Sequence, residues 1–159
     1  MKRNLLSRKS IFIISFIVVL FDQLSKSIAI NLTSHKPSII LIPHILNIHL
    51  VKNTGAAFSL FTNSTLLLGA LSFCVSIGLI FWIWRYKRFQ FLKGLSIAFL
   101  LGGSIGNGLD RWRLGYVNDF LQLIPINFPI FNGADIAINI AVVLFVIYNI
   151  DKHIKENAS

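Results

Sequence analysis

At 159 residues, with 55% hydrophobic and only 13% charged side chains and a mean hydropathy of +0.72, the chain has too little polar surface for a water-soluble globule, and most of its exterior must face lipid. The formal charge of +9 has the magnitude of a nucleic-acid signature, but the cations fall where a membrane topology signal would put them, and nucleic acid is excluded as a partner. With no internal repeat, low-complexity tract or polar linker, residues 1–159 read as a single membrane-embedded domain.

A helix needs roughly 20 mostly apolar residues to cross the hydrocarbon core, and four runs qualify, at about 11–30, 64–84, 94–112 and 132–150. Lys2, Arg3, Arg8 and Lys9 precede the first. A basic start before an apolar run also fits a secretory signal, but no small-x-small cleavage site follows. Asp22 and Lys26 come instead, spaced i,i+4 on one helical face. They read either as an ion pair at a helix end or as residues that shape a site, and as structural residues they would brace the outward loop against helix one.

In that loop, about 31–63, Ile45–Val51 is rich in β-formers, and Asn53-Thr54-Gly55 supplies a turn before Ala56-Ala57-Phe58, which predicts a small extramembrane sheet. The second span carries the one cysteine, Cys74, read as a core or lipid-facing residue. The histidines show no ligand spacing, so no metal, disulfide or cofactor is expected. Arg85, Lys87, Arg88 and Lys93 fill the loop that follows.

The third span contains Gly102-Gly103-Ser104-Ile105-Gly106-Asn107-Gly108, small residues that let helices approach closely. The same stretch fits G-x-S-x-G, but Ser104 lacks a partner base and is not expected to be a nucleophile. Asn107 and Arg111 share one face, and Arg111 could pair with Asp110, Asp119 or Asp135, or hold a substrate carbonyl. Leu121–Phe131 then looks extended, with Pro125 and Pro129 barring a helix interior or central strand. Lys152 and Lys155 follow the fourth span. By the positive-inside rule both termini are cytoplasmic and the loops at about 31–63 and 113–131 face outward.

Four of the six acidic residues, Asp22, Asp110, Asp119 and Asp135, thereby gather at one membrane face. Carboxylates at a bilayer edge are costly and mark functional sites, and two on neighbouring elements, Asp119 and Asp135, point to acid–base chemistry. A proton- or ion-coupled transport subunit is the alternative. It predicts ionisable groups near mid-membrane and often repeated halves, neither of which this sequence shows. A non-catalytic scaffold would leave Asp119 and Asp135 unexplained.

Asp22-x-x-x-Lys26, Asn53-x-Gly55-x-Ala57-Phe58, Gly102-Gly103-x-x-Gly106-Asn107-x-x-Asp110-Arg111, Val117-x-Asp119-Phe120 and Phe131-Asn132-x-Ala134-Asp135 together resemble the lipoprotein signal peptidases, the signal peptidase II family, over nearly the whole chain. Asn118 and Gly133 stand where that family commonly has a small apolar and an aliphatic residue. The resemblance implies a mainly α membrane protein with four transmembrane helices and a small extracytoplasmic β-rich cradle. It implies an aspartyl endopeptidase of the bacterial inner membrane that cuts prolipoproteins before a diacylglyceryl-modified cysteine, with Asp119 and Asp135 as the catalytic pair. Asn53, Gly55, Asn107, Arg111 and Asn132 would bind substrate or hold the aspartates, while Asp22, Lys26 and Asp110 give structural support. Prolipoproteins and membrane lipids are the implied partners of a monomeric enzyme that needs no metal or cofactor.

Overall fold

The computed structural model describes residues 5–55 and 64–157. Lys2, Arg3 and the Ala56-Ala57-Phe58 stretch, singled out above, lie outside them. The described elements, in chain order, are β1 (Leu5–Ser7), α1 (Arg8–Thr33), β2 (Ile39–Ile42), β3 (Leu46–Asn53), α2 (Thr65–Arg85), β4 (Arg88–Gln90), α3 (Phe91–Leu114), β5 (Val117–Leu123) and α4 (Gly133–Asn157). The four helices run 21 to 26 residues and are each long and apolar enough to span a membrane.

Helices α1 and α3 extend beyond their apolar runs at both ends and α4 at its C-terminal end, while α2 keeps its expected length, and capping sets some of these limits. Ser7 caps α1, its Oγ accepting from Ser10 N at 3.1 Å. Gly115 ends α3 in the left-handed conformation, φ 77°, with its N–H donating to Arg111 O at 3.2 Å. The last turns of α4 run into solvent-type sequence, where Asp151 pairs with Lys155 and Lys152 with Glu156.

Helix α3 is the axle of the bundle. Most of it is buried, whereas α1, α2 and α4 turn the larger part of their surface outward, as lipid-facing helices do. The glycines of α3 make this possible. A Cβ at Gly102 would lie 2.6 Å from Val18 Cβ, and one at Gly103 would lie 2.7 Å from Ala134 O. Backbones of α1 and α4 are thus seated directly on α3. Ser15 Oγ donates to Ala98 O (3.0 Å) and Ser96 Oγ to Ala141 O (2.7 Å), tying the same helices by hydrogen bonds.

Two small sheets flank the bundle at opposite ends. Strands β1 and β4 pair antiparallel before α1 and α3, packing near Ile11, Leu79, Ile83 and Phe89. At the other end β2, β3 and β5 form an antiparallel sheet of order β2-β3-β5, resting through Ile48 and Phe120 on Ala29. The expected strand at Ile45–Val51 is β3, which runs on to Asn53. The expected extended stretch at Leu121–Phe131 begins earlier, as β5. Beyond it the chain turns through Pro125 and Pro129 and returns, so that Phe131 pairs with Leu121.

Candidate active site

Asp119 and Asp135 reach one place from different elements. Asp119 lies on β5, paired with Val51 across the sheet, and Asp135 is the third residue of α4. The start of α4 explains the second position. Asn132 Oδ1 accepts from Asp135 N (3.1 Å) and Asp135 Oδ2 accepts from Asn132 N (3.1 Å). This is a reciprocal capping box built from Asn and Asp, and it turns the Asp135 carboxylate back over the helix start.

Three asparagine side chains occupy the remaining carboxylate oxygens. Asn132 Nδ2 donates to Asp119 Oδ1 at 2.6 Å, Asn53 Nδ2 to Asp119 Oδ2 at 2.8 Å, and Asn107 Nδ2 to Asp135 Oδ1 at 2.8 Å. Asn132 is fully buried and its second amide hydrogen goes to Asn107 Oδ1 at 3.0 Å, so a single amide links both aspartates and the third asparagine. Asn53 is itself held, its Oδ1 accepting from Gly55 N at 2.9 Å in an Asx turn. Arg111 NH2 donates to Gly55 O at 3.2 Å, and its buried Nε has no hydrogen-bond partner among the described residues.

Below this layer lies a buried charge cluster. Lys26 Nζ donates to Asp22 Oδ2 (2.9 Å) and Asn107 Oδ1 (3.2 Å), and forms an ion pair with Asp110 Oδ2 at 3.1 Å. Asp22 Oδ1 accepts from Ala134 N at 2.8 Å and Asp110 Oδ2 from Asn118 N at 3.1 Å. The cluster fixes orientation above it. With Oδ1 of Asn107 accepting from Lys26 and Asn132, its Nδ2 is the end left to face Asp135.

Burial pushes the Asp119 carboxyl up to about 6, and the charge of Asp135 adds to the rise, while the Asn53 and Asn132 amides and Lys26 oppose it. Both aspartates open into a cavity of about 690 Å³ whose other walls are mainly apolar, running from Asn53 and Phe131 along α4 to Leu144. Among the described residues no three His, Cys, Asp or Glu side chains are grouped to hold a metal ion. The arrangement sets a carboxyl of raised proton affinity near a second one beside an apolar groove, which is the equipment for general acid–base attack by water.

Residues 14–150 match the sequence model of the family Signal peptidase (SPase) II. The chain belongs to the signal peptidase II family. It is 50% identical over 147 residues to a lipoprotein signal peptidase of Parasynechococcus marenigrum (strain WH8102), covering 92% of each chain. It is 48% identical to one of Synechococcus sp. (strain RCC307), covering 82% of this chain and 87% of that one. A solved structure described as "Bacterial membrane enzyme structure by the in meso method at 2.3 A resolution" superposes with a TM-score of 0.81 at 30% identity, covering 91% of this chain and 90% of that one. A second, described in the same words at 1.9 Å, gives 0.75 at 31% identity, covering 88% of this chain and 92% of that one. As a signal peptidase II the protein is an aspartic-type hydrolase of a bacterial membrane, with four helices able to span it.

All ten site residues expected from the sequence of this signal peptidase II converge at one end of the bundle, in two layers. One expectation is corrected. Asp22 and Lys26 do not brace the outward loop against α1. They join α1 to α3 and α4, and the loop-side tie is made by Asp110 through Asn118 N. Of the alternatives open for Arg111, no ion pair is formed among the described residues, and its guanidinium donates to the Gly55 carbonyl. Gln23, which the sequence reading passed over, donates to Asp22 Oδ2 (3.1 Å), Asp110 Oδ1 (3.1 Å) and Gly106 O (3.2 Å). Its place beside Asp22 in an otherwise apolar run was the available signal.

Proposed function

We propose that this signal peptidase II removes the signal peptide from prolipoproteins at the extracytoplasmic edge of the bacterial inner membrane, cutting before a diacylglyceryl-modified cysteine, with Asp119 and Asp135 sharing one proton. The observation that carries this reading is the opening of both carboxyls into one apolar cavity while asparagine N–H groups hold their oxygens. Two adjacent carboxyls do not ionise together readily, and the pair titrates as a unit.

The ionised member takes a proton from water as the water oxygen bonds to the scissile carbonyl carbon, and the protonated member gives its proton to the carbonyl oxygen. The neutral diol then collapses. One hydroxyl returns its proton to the carboxylate that gave one, the C–N bond breaks, and the leaving amine takes the proton first drawn from water. The dyad ends as it began. Asn53, Asn107 and Asn132 hold the carboxylates in register throughout, and Arg111 Nε, without a partner among the described residues, offers a donor to a substrate carbonyl.

Arg8, Lys9, Arg85, Lys87, Arg88 and Lys93, with Lys152 and Lys155, lie at the end of the bundle opposite the dyad, and by the positive-inside rule that end is cytoplasmic. The β2-β3-β5 sheet is then an extracytoplasmic cradle, and the acyl chains of the substrate, held in the outer leaflet, set the depth of the scissile bond. The enzyme is read as a monomer of a single domain.

Cleavage of a lipid-modified prolipoprotein by the purified protein in liposomes, with a chelator present, tests this. The expected result is cutting by wild type and by Ser104→Ala, with a fall of at least about a hundredfold in folded Asp119→Asn and Asp135→Asn. Near-normal cutting by either Asn variant sinks the dyad, and no cutting by wild type sinks the assignment.

A further inference from the structure

Asn139 lies one helical turn beyond Asp135 on α4, within a membrane-spanning helix, with Ile136, Ile140 and Val143 around it on the cavity wall. Its Nδ2 donates to Asp135 O at 3.0 Å, its side chain is exposed, and its Oδ1 accepts from nothing among the described residues. An amide is an indifferent helix former, bonding back to the i−4 carbonyl slightly weakens a helix, and a polar group presented to hydrocarbon is costly. Among the described residues, every buried side-chain nitrogen and oxygen has a hydrogen-bond partner except Arg111 Nε. Asn139 stands apart as an acceptor held open toward the groove.

Resting on the peptidase reading above, we propose that Asn139 is a substrate-binding residue, and that its Oδ1 accepts a backbone N–H of the signal peptide just ahead of the scissile bond. The chemistry of the substrate selects this occupant. Acyl chains carry no donor, and their glycerol esters carry acceptors alone. The peptide is the part of the substrate that brings N–H groups into the membrane edge. The wall that continues past Asn139 to Leu144 therefore takes the signal peptide, which descends from the dyad toward the cytoplasmic side, and the acyl chains lie elsewhere. Register follows from geometry. Four helical residues advance about 6 Å, and an extended peptide covers that distance in about two residues. The N–H in question belongs to the second residue before the cut.

The test uses the full chain in liposomes and a synthetic diacylglyceryl-cysteine peptide carrying signal-peptide residues, alongside the same peptide with an ester replacing the amide N–H of that second residue. Loss of one such hydrogen bond is worth about fivefold or more in affinity. With wild type, the ester peptide is expected to show KM raised about fivefold and kcat within twofold. Asn139→Leu is expected to show the same rise with the ordinary peptide and no further rise with the ester. Asn139→Thr, whose hydroxyl donates to Asp135 O and still accepts, is expected to restore the wild-type KM. Independent, multiplying losses, an Asn139→Leu variant with wild-type KM, or a defect confined to kcat overturns the proposal while leaving the peptidase reading intact. If Asn139→Leu fails to fold, the ester peptide with wild type and the Thr variant decide the matter alone. Wild-type protein that cuts neither peptide overturns both.

Discussion

The raised proton affinity of Asp119 makes a quantitative prediction about stability. A carboxyl whose folded-state value is about 6, against an ordinary 3.8, binds its proton more tightly in the folded chain than in the unfolded one. Folding stability therefore falls as pH rises through the window between those values. At roughly a factor of ten in affinity per unit, the penalty is about 3 kcal/mol at pH 8 and under about 1 kcal/mol at pH 4. Asp119→Asn removes it. The new amide also presents N–H groups to the Asn53 or Asn132 donors that Asp119 now satisfies, a clash costing about 1–3 kcal/mol. That cost does not depend on pH. The stability difference between variant and wild type should thus move by about 2–3 kcal/mol in favour of the variant between pH 4 and pH 8, whatever its absolute value. Thermal unfolding of the two purified proteins in matched detergent across that range measures it. Parallel pH profiles would refute the reasoning, since they would mean that burial of Asp119 imposes no protonation penalty on the fold.

Asn53→Ala removes a donor that favours the ionised Asp119, so the alkaline limb of the pH–kcat profile should move to higher pH; an unmoved or lowered limb contradicts this. Lys26→Met leaves Asp22 and Asp110 buried without their cation, which should cost about 3–5 kcal/mol. The double variant Lys26→Met/Asp110→Asn should recover part of that in the same unfolding assay, and a purely additive double loss would argue against charge as the cause. Gly106→Ala places a Cβ 2.7 Å from Asp22 Oδ2, an atom pinned by its partners, and should destabilise by about 1–3 kcal/mol. Gly78→Ala has no neighbour within 4 Å and should stabilise α2 by about 0.5–1 kcal/mol. Melting temperatures of the pair that move together would remove the steric argument.

The spans were legible because an uncharged run of some twenty residues has few other uses in a chain this apolar. Their ends were not, since hydropathy stops at the first charge while Ser7 and Gly115 set the real limits of α1 and α3. Asn132-x-x-Asp135 carries both part of the proposed site and a helix start, and the second use is hidden in the sequence because Asp is one carbon shorter than the Glu of the usual capping box. Strands of three residues such as β1 and β4 leave no alternation to detect. The dyad and its asparagines could be named from motif spacing. What spacing could not convey was that Asn132 alone would touch both aspartates and Asn107, or that Lys26 would reach Asn107 across the bundle. Those contacts depend on how closely α3 lets its neighbours approach.

The i,i+4 spacing of Asp22 and Lys26 also bears on how the protein is built into the bilayer. The two residues sit on the first of the four helices in chain order, and their ion pair needs no other segment, so α1 can enter the bilayer with those charges already paired. Asp110 arrives later on α3 and finds the ammonium waiting. Ala134 N, 112 residues downstream of Asp22, supplies the last hydrogen bond when α4 is threaded in. Each charge thus meets a ready partner in the order of synthesis, and completion of the polar cluster is coupled to insertion of the helix that brings Asp135.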